Sequence, residues 1–325
     1  MKAPKFWKKK NLLILILLPF SKIYYFFFLV NNYLKKETKF KTPIICVGNV
    51  VIGGAGKTPI VIKLREYLKK KFSKIFVLSR GYGGRLKGPL IIKKNMNFLD
   101  VGDECLIHSI HGDTCIAKNK VSGAKFCESQ NANLIILDDG LQSKNVKKDF
   151  SILVIDSEYG FGNKLIFPAG PLREPLKNAI NKSDAIIVFG DKKILKNDLP
   201  PDKIFFADRV LKLDKIKNKR VIAFCGLGNN DNFFNNLKNN SIKLIETINF
   251  PDHHKYSYNE IEKIVKLAKL KKLHIVCTKK DFMKLPKVFQ KIIHPIDLDI
   301  KIHKKEKLKE LITKSIQLKK SVLNQ

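Results

Sequence analysis

At 325 residues the chain can bury one large core or two of ordinary size, and its six cysteines lie scattered without a C-x-x-C pair, which excludes a zinc ribbon and a disulfide framework. The formal charge of +34 permits acidic or phosphorylated partners. Lysine far outnumbers arginine everywhere, however, and the aromatics cluster at the amino terminus away from the basic runs, so a nucleic-acid partner is not expected.

The first element is an apolar segment, residues 11–34, interrupted near its middle by Pro19, Ser21 and Lys22. A spanning helix needs about 20 predominantly apolar residues, and Lys22 at the centre would cost roughly 3 kcal/mol on insertion scales. Spanning is therefore disfavoured. Lys5, Lys8, Lys9 and Lys10 precede the segment and Lys35, Lys36, Lys39 and Lys41 follow it, so charge bias sets no orientation. The pattern predicts a helix lying in the membrane interface, with Tyr24, Tyr25, Phe26, Phe27 and Phe28 in lipid and lysines on headgroups. The alternatives are a buried core helix and a signal peptide; no small-residue cleavage site supports the latter.

After Lys41 short apolar runs alternate with amphipathic stretches: PIICVGNV, KTPIVIKLREYLKKKF, KIFVLSRG, NLIILDDG, FSILVIDSE and DAIIVFGD. This βαβ rhythm predicts a mostly parallel sheet. A second set begins near Arg220, and the stretch ILKNDLPPDKIFFADRV between them, with Pro200 and Pro201, reads as a connector. The expected organisation is an amino-terminal membrane-associated segment (1–36), a core α/β domain (37–205) and a smaller α/β domain (206–325).

VIGGAGKT, residues 51–58, lies between a predicted strand (44–48) and a predicted helix starting near Thr58, the context a phosphate loop requires. Val51 stands where G-x-x-x-x-G-K-T places its first glycine, which costs little if Val51 still belongs to the strand. Val51, Ile52, Gly53, Gly54, Ala55 and Gly56 would wrap their amides around a phosphate, Lys57 would reach the β- and γ-phosphates, and Thr58 would hold Mg²⁺. A metal-linked carboxylate is expected at a neighbouring strand end, and NLIILDDG supplies Asp138 and Asp139, followed by Gln142. Asp156 is a weaker rival.

Two further features lack an easy structural reason: VGDE, with Asp103 and Glu104, and FPDHH, with Asp252, His253 and His254. In phosphoryl transfer to a hydroxyl a carboxylate can take the proton while an imidazole orients it. Arg173, in PAGPLREP, could neutralise the γ-phosphate or form a plain salt bridge. SRGYGGR offers Arg80, Tyr82 and Arg85 on a turn suited to sugar or phosphate. TKKD, residues 278–281, ends a strand, and Lys280 and Asp281 could hold adenine there.

Taken in order, GN-x₄-GG-x-GKTP, SRGYGG, VGDE, LDDG-x-Q, GPLREP, FPDHH and T-K-K-D resemble the tetraacyldisaccharide 4′-kinase family of Gram-negative bacteria, from about residue 5 to about 300. The resemblance implies a two-domain P-loop NTPase-like α/β/α sandwich on the cytoplasmic face of the inner membrane. It implies transfer of the ATP γ-phosphate to the 4′-hydroxyl of a tetraacyldisaccharide 1-phosphate, a lipid A precursor, giving lipid IVA. Through it, Asp103 is the general base assisted by His253, Asp138 and Asp139 are metal-linked, Glu104 and Gln142 arrange metal and water, and Arg173 stabilises transferred charge. The second domain closes over the nucleotide, and a monomer is expected. The rival from another class is a membrane-associated P-loop switch ATPase; its signature lysine before the glycine pair is replaced here by Ile52, and VGDE and FPDHH would have no role in it.

Overall fold

The computed structural model describes residues 4–7, 12–93, 95–190, 198–213, 216 and 219–323. Lys8, Lys9 and Lys10 of the basic flank, and residues 191–197, of which 194–197 open the connector, lie outside them.

The chain opens with helix α1 (Leu12–Tyr33), followed by β1 (Ile44–Gly48), α2 (Lys57–Leu68), β2 (Ile75–Ser79), β3 (Leu90–Ile91), α3 (Phe98–Val101), α4 (Asp103–Ile110), β4 (Thr114–Ile116), α5 (Lys120–Ser129), β5 (Leu134–Asp138), β6 (Phe150–Asp156), α6 (Leu176–Asn181) and β7 (Ala185–Phe189). It continues through β8 (Ile204–Lys212), β9 (Arg220–Cys225), α7 (Asn230–Asn239), β10 (Lys243–Asn249), α8 (Tyr258–Leu270), β11 (His274–Thr278), α9 (Lys279–Phe282), β12 (Ile293–Ile302) and α10 (Lys305–Leu323). Among the described residues the strands form one sheet of order β10-β9-β11-β12-β8-β7-β6-β1-β5-β2-β4-β3.

The apolar runs are strands buried on both faces, as helices on either side of a parallel sheet demand. Alternate residues of β1 sort accordingly: Ile45 and Val47 pack with Ile60 and Leu64 of α2 and Leu308 and Ile312 of α10. Ile44 and Cys46 join Ala124 and Cys127 of α5 on the opposite face. The same division recurs beyond β8, with Ile222 and Phe224 against α8 and Val221 and Ala223 against α7.

IFFADRV, read as connector, is strand β8. The two prolines before it masked an alternating pattern that needs only one buried face. Its first part pairs parallel with β7 and its remainder antiparallel with β12, so residue 205/206, the expected domain boundary, falls inside a strand. β12 does the converse, pairing parallel with β11 over Ile293–Ile296 and antiparallel with β8 from Asp297 onward.

The residues that interrupt the apolar segment do not break the helix: α1 runs through Pro19, Ser21 and Lys22. Ile14, Ser21 and Asn32 are buried in a narrow seam against the protein, while Leu12, Leu15, Ile16, Phe20, Ile23, Phe26 and Phe27 remain exposed.

Strand β1 is flanked by β5 and β6, and the chain leaves it on opposite sides of the sheet. The carboxyl ends of strands at such a switch point form the crevice where ligands bind. Beside it, Gly102 precedes α4 with φ +86°, and a Cβ there would fall 2.2 Å from the Tyr82 carbonyl oxygen. Gly102→Ala is expected to lower stability by at least about 2 kcal/mol in urea unfolding, from left-handed strain and steric conflict together.

Candidate active site

The phosphate loop fills the crevice at the end of β1. Val51 forms an isolated antiparallel bridge with Leu172, and the Ile52 amide donates to the Pro171 carbonyl at 2.8 Å. Val51 is thus still extended backbone, which explains a β-branched residue where glycine is usual. The turn comes later, at Gly53 (φ +123°) and Gly56 (φ +82°). A Cβ at Gly53 or Gly54 would meet nothing, whereas one at Gly56 would fall 2.9 Å from the Phe189 ring. Gly53 and Gly54 therefore present open backbone while Gly56 is packed, and Ala55 is buried beneath the loop. Asn49 is fully buried and donates to the carbonyls of Val51 (2.9 Å) and Gly53 (3.2 Å) while accepting from Lys57 Nζ at 3.2 Å. Lys57 opens α2, and Thr58 follows it on the first turn.

Next to this loop, β5 ends in the acidic pair. Asp139 adopts φ +52°, with Lys57 Nζ 3.7 Å from its Oδ1 and Arg173 Nη1 at 3.0 and 3.1 Å from its two oxygens. Burial alone would raise its pKa, but Lys57, Arg173 and Lys120 outweigh that and hold the carboxyl below its ordinary value. Asp138 points the other way, with His108 Nε2 at 3.2 Å from Oδ2 and Oδ1 buried without a partner. Lys120, also buried, donates to the backbone carbonyls of both aspartates. Gln142 donates to the Asn49 carbonyl (2.9 Å) and to Glu174 (3.3 Å), and its Oε1 lies 3.4 Å from Arg173.

A second cluster assembles around Asp103, the first residue of α4, where the helix terminus favours a carboxylate. His253 Nδ1 lies 3.0 and 3.2 Å from its two oxygens, and the Glu104 amide donates to it at 2.9 Å. Lys280 Nζ sits 3.3 Å from His253 Nε2, 3.3 Å from Asp252 and 3.8 Å from both Asp103 and Glu104. An ammonium offers only donors, so Nε2 meets it with a lone pair and Nδ1–H donates to Asp103. Burial would raise the Asp103 pKa; the His253 hydrogen bond and the Lys280 charge overcome it and hold Asp103 below the usual carboxylate range. Lys280 is in turn desolvated, yet Glu104, Asp103 and Asp252 keep it above its ordinary value. Tyr82 stands edge-on to the His253 ring at 5.5 Å, and Arg80 is exposed on the same turn. Helix α4 joins the two clusters: His108 lies five residues, about 7.5 Å of helix, beyond Asp103.

Two expectations change. Asp281 does not face a nucleotide base: it is fully buried, accepting from the Gly226 amide (3.0 Å) and Thr278 Oγ1 (2.6 Å) and pairing with Lys284 at 2.8 Å. Lys280, its neighbour, turns into the Asp103 cluster. Glu104 faces Lys280 and makes no described contact with Asp138 or Asp139; among the described residues no group of three or more His, Cys, Asp or Glu side chains converges as a metal cage. Asp156 is occupied structurally, accepting from Arg209 at 2.7 Å. Asn49, His108 and Lys120 were not singled out from the sequence; only Asn49 left a signal, as the N of GN-x₄-GG.

A glycine loop with its lysine, an acidic strand end beside it and a carboxylate–imidazole pair one helix away define a P-loop phosphotransferase. The family profile described as Tetraacyldisaccharide-1-P 4'-kinase matches residues 13–317. A Tetraacyldisaccharide 4'-kinase from Rhodopseudomonas palustris (strain BisB5) is 35% identical over 302 residues, covering 88% of this chain and 87% of its own; another from Rickettsia typhi is 34% identical, covering 96% and 98%. The crystal structure of an "apo" form of LpxK from Aquifex aeolicus in complex with ATP superposes with a TM-score of 0.78 at 30% identity, covering 94% of this chain and all of that one. The chain belongs to the tetraacyldisaccharide-1-phosphate 4′-kinase family, whose reaction phosphorylates the 4′-hydroxyl of a lipid A precursor.

Two outcomes follow from the charges. Asp103 is lost as a carboxylate when pH falls through its depressed value; Lys280→Met removes a cation that depresses it, so the acid limb of the kcat/KM profile should move to higher pH. Asp281→Ala should leave the buried Lys284 ammonium with only the more distant Asp103 carboxylate at 4.0 Å, lowering stability by about 3 kcal/mol in chemical unfolding.

Proposed function

We propose that Asp103 takes the proton of the acceptor's 4′-hydroxyl during transfer of the ATP γ-phosphate, with His253 and Lys280 fixing its orientation and charge. The observation that carries this reading is the bifurcated contact of His253 Nδ1 with both oxygens of the buried Asp103 carboxylate at 3.0 and 3.2 Å. A carboxylate has about four acceptor sites, so Asp103 can receive a hydroxyl while retaining His253. As the hydroxyl oxygen bonds to phosphorus, its proton passes to Asp103 and the bond to the ADP oxygen breaks. Charge spreads over the transferred oxygens, where Lys57 and Arg173 supply compensation; Arg173 is already aimed there by Asp139.

Thr58 and Asp138 would hold Mg²⁺ here, and the ion would supply positive charge against that developing on the transferred phosphate. The donors fit it: Asp138 Oδ1 is a buried carboxylate oxygen with no partner, and Thr58 follows the loop lysine. One or two carboxylates plus substrate phosphates suffice for this ion, so the lack of a convergent acidic cage is no obstacle. Gln142 serves to hold Arg173 and the loop carbonyl of Asn49. Tyr82 and Arg80, beside His253, are placed to meet the sugar or its 1-phosphate.

The acyl chains of such an acceptor stay in a leaflet, and α1 supports an enzyme that works there. Buried residues at 14, 21 and 32 dock the helix lengthwise on the protein, so its exposed apolar face lies in the interface of the inner membrane's cytoplasmic leaflet and does not cross it. The half built on β9–β12 carries His253 and Lys280 to the half built on β1, as a closing second domain would.

Mass spectrometry of the product formed from ATP and a tetraacylated disaccharide 1-phosphate in detergent should show one added phosphate. Asp103→Ala should reduce kcat by about 10²–10⁴-fold while nucleotide affinity stays near that of the parent. ATP hydrolysis that ignores the lipid and rises with a protein or DNA partner would sink the reading.

A further inference from the structure

The amino-terminal helix does more than cover apolar surface: besides Tyr25 on Asn178 and Phe28 under Lys182, its seam is tied to the loop 163–173, and that loop is the frame of the phosphate site. On its outer side the loop is tied to the amino terminus. Ser21 Oγ donates to the Ile166 carbonyl at 2.8 Å and accepts from the Ala169 amide at 3.0 Å. Trp7 Nε1 donates to the Pro168 carbonyl at 3.0 Å, the Asn163 amide donates to the Trp7 carbonyl at 2.7 Å, and Tyr24 meets the Phe167 ring edge-on at 5.5 Å. Inside the loop the Leu172 amide donates to Leu165 and the Phe167 amide to the Leu172 carbonyl, closing a compact turn.

On its inner side the same turn grips the nucleotide machinery. Leu172 bridges Val51, the Pro171 carbonyl receives the Ile52 amide, the Arg173 amide donates to Val50 at 2.8 Å, and the Arg173 side chain reaches Asp139. The path from Ser21 to the phosphate loop is therefore a few residues of hydrogen-bonded backbone. A helix that served only to stick to lipid would have no use for a buried serine spending its hydroxyl on this loop; an apolar residue would dock it as well.

We propose that Ser21 and Trp7 are positioning residues for phosphoryl transfer: by pinning the 166–169 turn they set the place of Arg173 and the register of the Val51–Leu172 bridge, so that the membrane helix is part of the catalytic frame. This rests on the kinase reading. Small misplacements of a charge-stabilising group cost rate steeply, and the loss of one hydroxyl here should be read at the nucleotide.

The test compares the full chain with Ser21→Ala and Trp7→Phe, the latter keeping an aromatic six-membered ring while removing the indole Nε1–H donor and its five-membered ring. Three quantities are measured for each: equilibrium affinity for a fluorescent ATP analogue with Mg²⁺, kcat and KM for ATP in mixed micelles, and co-sedimentation with phosphatidylglycerol–phosphatidylethanolamine vesicles. Both variants should partition to vesicles within about twofold of the parent, yet show kcat lowered about three- to tenfold and ATP-analogue affinity weakened by about the same factor. Unchanged kcat and nucleotide affinity would overturn the proposal, as would a loss of activity that follows vesicle partition and disappears at saturating lipid. Should Ser21→Ala fail to fold, Trp7→Phe decides alone. If the parent chain phosphorylates no lipid disaccharide, the kinase reading fails, while the affinity comparison still judges the link between the helix and the loop.

Discussion

The carboxylate of Asp139 lies between Lys57 and Arg173, with a third cation, Lys120, holding its backbone carbonyl. Removing that charge would leave three cations crowded at the ends of β1 and β5 with nothing to offset their mutual repulsion. Its placement depends on a left-handed backbone at the residue after β5, which turns the side chain toward the loop and leaves Asp138 facing the opposite way. One local conformation thus divides two adjacent aspartates between two jobs.

From that point the site extends along α4. His108 on Asp138 and Asp103 on His253 sit on one short helix, which Arg65 pins from beneath through the His108 carbonyl at 3.1 Å. The helix fixes the distance between Asp138 and Asp103, so the two carboxylates cannot drift independently. Across from it, Lys280 ties α9 to the same Asp103, and the imidazole between them has its tautomer dictated by one ammonium and one carboxylate.

The sheet was legible from the sequence because strands buried on both faces read as unbroken apolar runs, and the loop because glycines with lysine and threonine between strand and helix have few other uses. Asp103, Asp138, Asp139, His253 and Arg173 could be named since polar residues at strand ends and loop starts have no packing reason to be there. The connector was misread because β8 has one half-exposed face and follows two prolines, so it resembles a linker in composition. Asp281 was misplaced for a different reason: a four-residue polar strand end looks the same whether it recognises a base or caps its own helix, and only burial separates them. His108 and Lys120 left no trace, since a single histidine or lysine within a helix is ordinary until the fold brings an aspartate to it.

Strand β12 changes its pairing from parallel to antiparallel between Ile296 and Asp297, immediately after Pro295, a residue with no amide hydrogen to give. The two halves of the molecule are therefore joined through a hydrogen-bonded ribbon with one rung missing, and not through a slack tether. His253, in the loop after β10, and Lys280, after β11, are thus held against Asp103 by the stiffness of one continuous sheet.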